Sequence, residues 1–185
     1  MNVMLSKTFF PQHYRAGEPT HFAEKVKKGI KRHTCRCNYD YWKERIATLQ
    51  ERGGVLSIRQ WSGRPYEKGK PQEKLLDVPA SLIEVQKLVM TRTRNDDKSV
   101  CEEQPDGSFA PVQQYDYSAQ VDGIPTAVAY MAKNDGLTLD EFKAWFNPVF
   151  DEYEAKVELT KDGQPIQASA TTLTFAIIHF TTFRY

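Results

Sequence analysis

The stretch Gly29-Ile30-Lys31-Arg32-His33-Thr34-Cys35-Arg36 gathers a lysine, two arginines, a hydroxyl, an imidazole and a thiol within one short segment. An extended strand alternates its side chains, so Arg32, Thr34 and Arg36 share one face. Lys31 has the opposite parity, yet it stands where the chain turns out of a preceding helix, and that turn redirects it. A lysine, a threonine and an arginine converging on one mouth suit a phosphate or a polar carbonyl group.

A second cluster, Arg59, Trp61, Arg64 and Tyr66, interleaves cations with aromatics around the turn Ser62-Gly63-Arg64-Pro65. Such a pattern stacks bases and holds phosphates; Trp61 reads equally well as a core residue and Arg64 as a turn charge. His33-x-Cys35-x-Cys37 places metal-ligand types on one strand face. A structural zinc site, however, takes four ligands at set spacings, and His13, His21 and Cys101 follow no such pattern, so no metal and no cofactor is expected. His179 reads as structural. Asp135, inside Asn134-Asp135-Gly136, reads by itself as turn chemistry.

The elements that must position these residues are short. Residues 4–10 predict a first strand stopped by Pro11. Thr20 then caps a helix over 21–28, with Phe22 and Val26 on its apolar stripe, lysines in its last turn and Gly29 as terminator. Tyr41, Trp42, Ile46 and Leu49 recur at helical spacing and predict a second helix ending at Gly53-Gly54. Strands are expected over 55–61, 73–78 and 82–90. Residues 91–116 read as a hairpin-bearing insertion with turns at Asn95-Asp96-Asp97 and Pro105-Asp106-Gly107, and Asp122-Gly123 marks another turn. Thr138 and Glu141 form a capping box opening a helix with Phe142, Trp145 and Phe146 on its core face, ending near Pro148. Residues 173–185 predict a closing strand. Short strands with scattered helices fit an α+β chain, a small mixed or antiparallel β-barrel decorated with about three helices, better than a βαβ sandwich.

The spacing Gly29-x-Lys31-x-x-Thr34-x-Arg36 resembles the G-x-K-x-x-T-x-R signature of ASCH domains, relatives of the PUA fold. The helix carrying Phe22, preceded by Glu18, is similar to that family's opening. The helix beyond Asp135-Gly136-Leu137 and the strand with Ile177-Ile178-x-Phe180 are similar to its closing half. The resemblance implies a PUA-like barrel of five or six strands with a cleft lined by the signature. It also implies RNA binding, and in one branch of small members hydrolysis of N4-acetylcytidine. The residues that match that branch's chemistry are Lys31 and Thr34, with Asp135 as the acid before the late helix and Arg36 in support. Asp135 stands where that branch has a glutamate, one methylene longer. The chain also exceeds the small hydrolases, with extra segments near 37–53 and 91–126 of a single domain spanning 1–185.

Composition narrows the classes further. The 185 residues are 40% hydrophobic and 26% charged with a mean hydropathy of −0.60. No apolar run approaches the roughly 18 residues of a membrane helix. A chain this long buries roughly 70% of its unfolded surface and needs neither disulfides nor metal to fold. An odd cysteine count and an N-terminus without an apolar h-region predict a reducing, cytoplasmic location. Residues 1–94 carry 19 Lys and Arg against 9 Asp and Glu, a net of +10, while residues 95–185 carry 6 against 15, a net of −9. Either the basic half addresses an anion such as nucleic acid, or the halves neutralise each other across the fold. Three functions compete. The first is a module binding RNA or a modified nucleoside through Gly29, Lys31, Arg36, Arg59, Trp61, Arg64 and Tyr66. The second is an amidohydrolase deacylating a cytidine-like base with Lys31, Thr34 and Asp135. The third is a structural or protein-partner role.

Overall fold

A computed structural model describes residues 1–63, 67–103, 108–157 and 169–185. Along the chain run β1 (Asn2–Leu5), α1 (Phe22–Lys27), β2 (His33–Cys37), α2 (Tyr39–Glu51), β3 (Val55–Trp61) and β4 (Gln72–Pro79). They are followed by β5 (Glu84–Glu103), β6 (Phe109–Val121), β7 (Ile124–Pro125), α3 (Val128–Asn134), α4 (Leu139–Val157) and β8 (Ala170–His179). Two sheets result, with orders β1-β3-β4 and β2-β8-β5-β6-β7. The β1–β3 pairing is parallel and the other ladders are antiparallel. The chain is therefore α+β. Among the described residues no ladder joins the sheets into a closed barrel.

β8 lies between β2 and β5, and residues 175–180 are all buried. A strand covered on both faces needs apolar side chains without alternation, which is why this segment reads Phe-Ala-Ile-Ile-His-Phe. Phe142, Phe146 and Phe150 recur every fourth residue along α4 and press onto that strand. The rings of Phe146 and Phe175 lie 5.0 Å apart, nearly perpendicular. Leu56 and Ile58 of β3 and Leu88 and Met90 of β5 complete a single buried cluster with this stripe.

Several sequence expectations change. The first strand ends at Leu5; residues 8–20 instead form a loop closed by Phe9 N donating to Glu18 O and Gly17 N to Phe9 O. The apolar stretch 128–131 is a helix, α3, making four α-helices in place of about three among the described residues. α4 does not stop near Pro148 but continues to Val157. An interior proline costs about 3 kcal/mol, but the aromatic stripe runs on to buried Phe150. Beyond the proline, Asp151 and Glu154 each hold the buried Arg92 guanidinium at 2.7 Å. Asn95-Asp96-Asp97 is not a turn: β5 continues through it opposite β6, with a register shift between Asn95 and Val100. The turn expected at Pro105-Asp106-Gly107 lies outside the described residues. The closing strand ends at His179, and residues 180–185 leave the sheet.

Candidate active site

α1 ends at Lys27, and Gly29 just beyond its cap, with a φ of +67°, reverses the chain at no steric cost. The amides of Ile30 and Lys31 then both donate to Lys25 O, at 2.8 and 3.1 Å. This tight exit turns Lys31 inward before β2 begins, and the side chain is only 1% exposed. Arg32 N donates to Asn134 O at 2.8 Å, docking the start of β2 on the end of α3. Asp135 caps that helix end, and Gly136 follows with a φ of +76°. A Cβ at Gly136 would come within 3.1 Å of the Lys31 Cβ, so a residue with a side chain there would push the lysine away.

The Lys31 ammonium donates to the Asp135 carboxylate at 2.5 Å and to the Asp135 carbonyl at 2.7 Å. It also sits 4.1 Å from the centre of the Phe22 ring, a cation–π contact. Burial pushes the Lys31 amine below its usual pKa, opposed by Asp135, and pushes the Asp135 carboxyl above its usual range, opposed by Lys31. In both groups burial disfavours the charged form, and the partner's opposite charge favours it.

Lys31, Thr34, Arg36 and Asp135 line one recess, together with Leu5, Phe22 and Trp145. Its free volume is about 10 Å³, the room of roughly one water. Arg36 spans the gap between the two sheets, donating from one nitrogen to Cys35 O at 3.1 Å and from the other to Met4 O on β1. His33 packs behind the recess. Its Nε2 lies 2.6 Å from the Tyr185 hydroxyl, and its Nδ1 lies 3.7 Å from Asp135 and 4.0 Å from the Cys35 sulfur. Burial, reinforced by the Lys31 charge, holds His33 well below the usual imidazole pKa, and burial raises the Cys35 thiol well above its own.

Leu5 and Ser6 line both this recess and a larger groove of about 1040 Å³. The groove is walled by residues 7–11 on one side and by Trp61, Ser62 and Gly63 on the other. Among the described residues its one lining cation is Lys7, whose amine donates to Ser62 O at 2.6 Å. The loop carrying Phe9 and Phe10 is held from below. His13 Nε2 bonds Glu141 O at 3.1 Å, and Arg15 pairs with the Glu141 carboxylate. Glu141 also accepts from Thr138 N at 2.8 Å while Thr138 Oγ1 accepts from Glu141 N at 3.2 Å, the reciprocal capping box expected from the sequence.

The sequence-predicted residues therefore divide. Lys31, Thr34, Arg36 and Asp135 meet at the recess and Trp61 reaches the adjoining groove, whereas Gly29 acts through the α1 exit. Arg59 lines neither cavity and is bonded through its Nε to Ser57 Oγ at 3.1 Å. Arg64 and Tyr66 lie outside the described residues. An exposed positive surface including Lys31 is excluded by that residue's burial. His33 and Cys35 point inward while Cys37 is exposed, so the His-x-Cys-x-Cys face is split. Sequence reasoning missed Phe22 and Trp145 as recess walls and Tyr185 as the partner of His33. Trp145 sits at core spacing on α4, and only its partial exposure distinguishes it from Phe142 and Phe146.

Comparison with family models, with curated proteins and with solved structures finds no match. Among the described residues no helix is long and apolar enough to cross a membrane, and no group of three or more His, Cys, Asp or Glu is placed to share a metal ion.

Proposed function

We propose that the protein binds an acylated nucleoside of the N4-acetylcytidine type and hydrolyses its exocyclic amide at the Lys31–Thr34–Asp135 recess. The observation that carries this reading is a buried lysine bonded to a buried carboxylate at 2.5 Å, beside a threonine and an arginine, at the edge of a groove. Perturbed titratable groups in a cleft mark candidate catalytic sites. The base lies in the groove by Trp61 and brings its amide to Leu5 and Ser6, where the groove meets the recess. Neutral Lys31 takes the proton of the attacking oxygen, from Thr34 or from a water that Thr34 orients. The acyl carbon–nitrogen bond then breaks, and a proton delivered through Asp135 leaves with the amine. Water supplies the oxygen of the released carboxylic acid, whether it attacks directly or opens an acyl-Thr34 ester. Arg36 holds β1 against β2 and so fixes the recess walls.

A neutral nucleoside suits the groove better than an RNA backbone, because Lys7, its lining cation among the described residues, is already bonded to a carbonyl. The ASCH resemblance supports the same substrate class. We read the two sheets as an opened PUA-like barrel, with Arg36 as the bond across the opening. A binding module without turnover is the second reading, favoured by the net +10 of residues 1–94. Incubating the protein with N4-acetylcytidine and following release of cytidine tests the proposal. Turnover supports it, binding of the acetylated nucleoside without turnover favours the second reading, and absence of both binding and turnover rejects the proposal.

A further inference from the structure

We infer that His33 is a positioning residue for Asp135, with its ring held by Tyr185 so that the Nδ1 proton faces the carboxylate. This inference rests on the hydrolase reading above, to which it adds the group that steadies the acid from behind.

His33 is fully buried, and burial, reinforced by the Lys31 charge, keeps its ring neutral. A neutral imidazole has one N–H donor and one acceptor nitrogen, so a partner at one nitrogen fixes the other. Nε2 lies 2.6 Å from the Tyr185 hydroxyl. Asn134 Nδ2 donates to Tyr130 O at 2.9 Å, which orients that amide. Burial raises the Tyr185 hydroxyl pKa, and the Asn134 amide, a donor facing the phenol oxygen, lowers it. With its oxygen accepting from Asn134, the phenol gives its one proton to His33 Nε2, and the ring proton falls on Nδ1. That nitrogen lies 3.7 Å from Asp135 Oδ1, the oxygen that also accepts from Lys31, and 4.0 Å from the Cys35 sulfur, a weak acceptor.

The distance to Asp135 is longer than a hydrogen bond, as catalytic contacts often are before substrate arrives. The donor matters during turnover. Lys31 takes the proton of the attacking oxygen, Asp135 gives its own to the leaving amine, and the ammonium afterwards returns a proton to the carboxylate. Between those steps Asp135 is a buried anion, and the Nδ1 proton adds a donor beside Lys31.

The nitrogen NMR spectrum of the His33 ring at neutral pH should show a protonated Nδ1 and a bare Nε2 in the wild type. A protonated Nε2 overturns the inference and leaves the hydrolase reading intact. Tyr185→Phe removes the phenol that fixes the tautomer. It should lower kcat for N4-acetylcytidine roughly 10-fold, less than the ~10² lost with a proton-transfer group itself, with KM unchanged because the contact tightens only in the transition state. His33→Asn, whose amide nitrogen takes the place of Nδ1, should keep more of the wild-type kcat than His33→Ala. Equal losses in folded His33→Asn and His33→Ala, or full kcat in folded Tyr185→Phe, overturn the inference as well. The spectrum decides alone should no variant fold. No turnover of N4-acetylcytidine by the wild type overturns the hydrolase reading and the role of His33 with it.

Discussion

Lys31 and Asp135, 104 positions apart in the chain, meet through two hydrogen bonds from one ammonium group, one to the Asp135 carboxylate and one to its backbone carbonyl. The contact ties the start of β2 to the end of α3, and both groups line the buried recess that shares Leu5 and Ser6 with the groove. The pair is at once a structural clasp and the reactive centre of the proposed hydrolase.

Breaking the clasp on one side leaves an uncompensated buried group. Lys31→Met should cost about 3–5 kcal/mol in urea unfolding, while the double change Lys31→Met with Asp135→Leu should cost clearly less than the two single changes added together. A double-mutant cycle with additive losses would show that the pair contributes no coupling.

Acid should destabilise the protein through His33 and His179. Burial holds His33 well below 6.5 and lowers His179 to about 4. Neither ring nitrogen of His179 has a hydrogen-bond partner, and the Arg184 charge adds to the effect of burial, against smaller opposing contributions from Asp122 and the Phe183 backbone. The unfolded chain therefore binds protons first as the pH falls. Stability is full above about 6.5 and declines towards 4, with His179 alone accounting for about 3 kcal/mol at 1.36 kcal/mol per unit. His179→Phe should flatten that decline with little loss at neutral pH, because no hydrogen bond is removed. Unfolding midpoints at pH 7 and pH 5 check it.

Glu141 both caps α4 and holds Arg15. Glu141→Ala should lower stability by about 1 kcal/mol through the lost cap. It should also speed hydrogen exchange at the Phe9 and Gly17 amides, which close the groove loop. Unchanged exchange there would mean that the loop stands without Glu141.

The local rules read well from the sequence where they depend on near neighbours. The Gly29 terminator, the Thr138–Glu141 box, the Asp122-Gly123 turn and the β3 strand all follow from a few adjacent residues, and the structure contains each of them. What was not legible depends on distant partners. α4 outruns Pro148 because Arg92, far back on β5, meets Asp151 and Glu154 beyond it. The signature residues predicted a shared mouth for Lys31, Thr34 and Arg36, but nothing in their spacing predicts that Lys31 is interior. The local exit from α1 turns Lys31, but what covers it is distant: Arg32 docks on Asn134 and Asp135 meets the ammonium, contacts between segments a hundred residues apart.

Salt separates the two ligand classes. Binding of a neutral acylated nucleoside should change little with ionic strength. An RNA held through about four phosphates should lose affinity with a log–log slope of roughly −3, at about −0.7 per contact. Titrations of both ligands at low and moderate salt measure this, and a steep slope shared by tight RNA binding would favour the second reading.

The most direct test is the turnover of N4-acetylcytidine by the wild type and by Lys31→Arg. Arginine keeps the positive charge but cannot serve as a neutral base. The account predicts cytidine release by the wild type and a loss of at least ~10² in kcat/KM for folded Lys31→Arg, the lower end of what a positioned proton-transfer group supplies. Turnover that survives Lys31→Arg undiminished would contradict it.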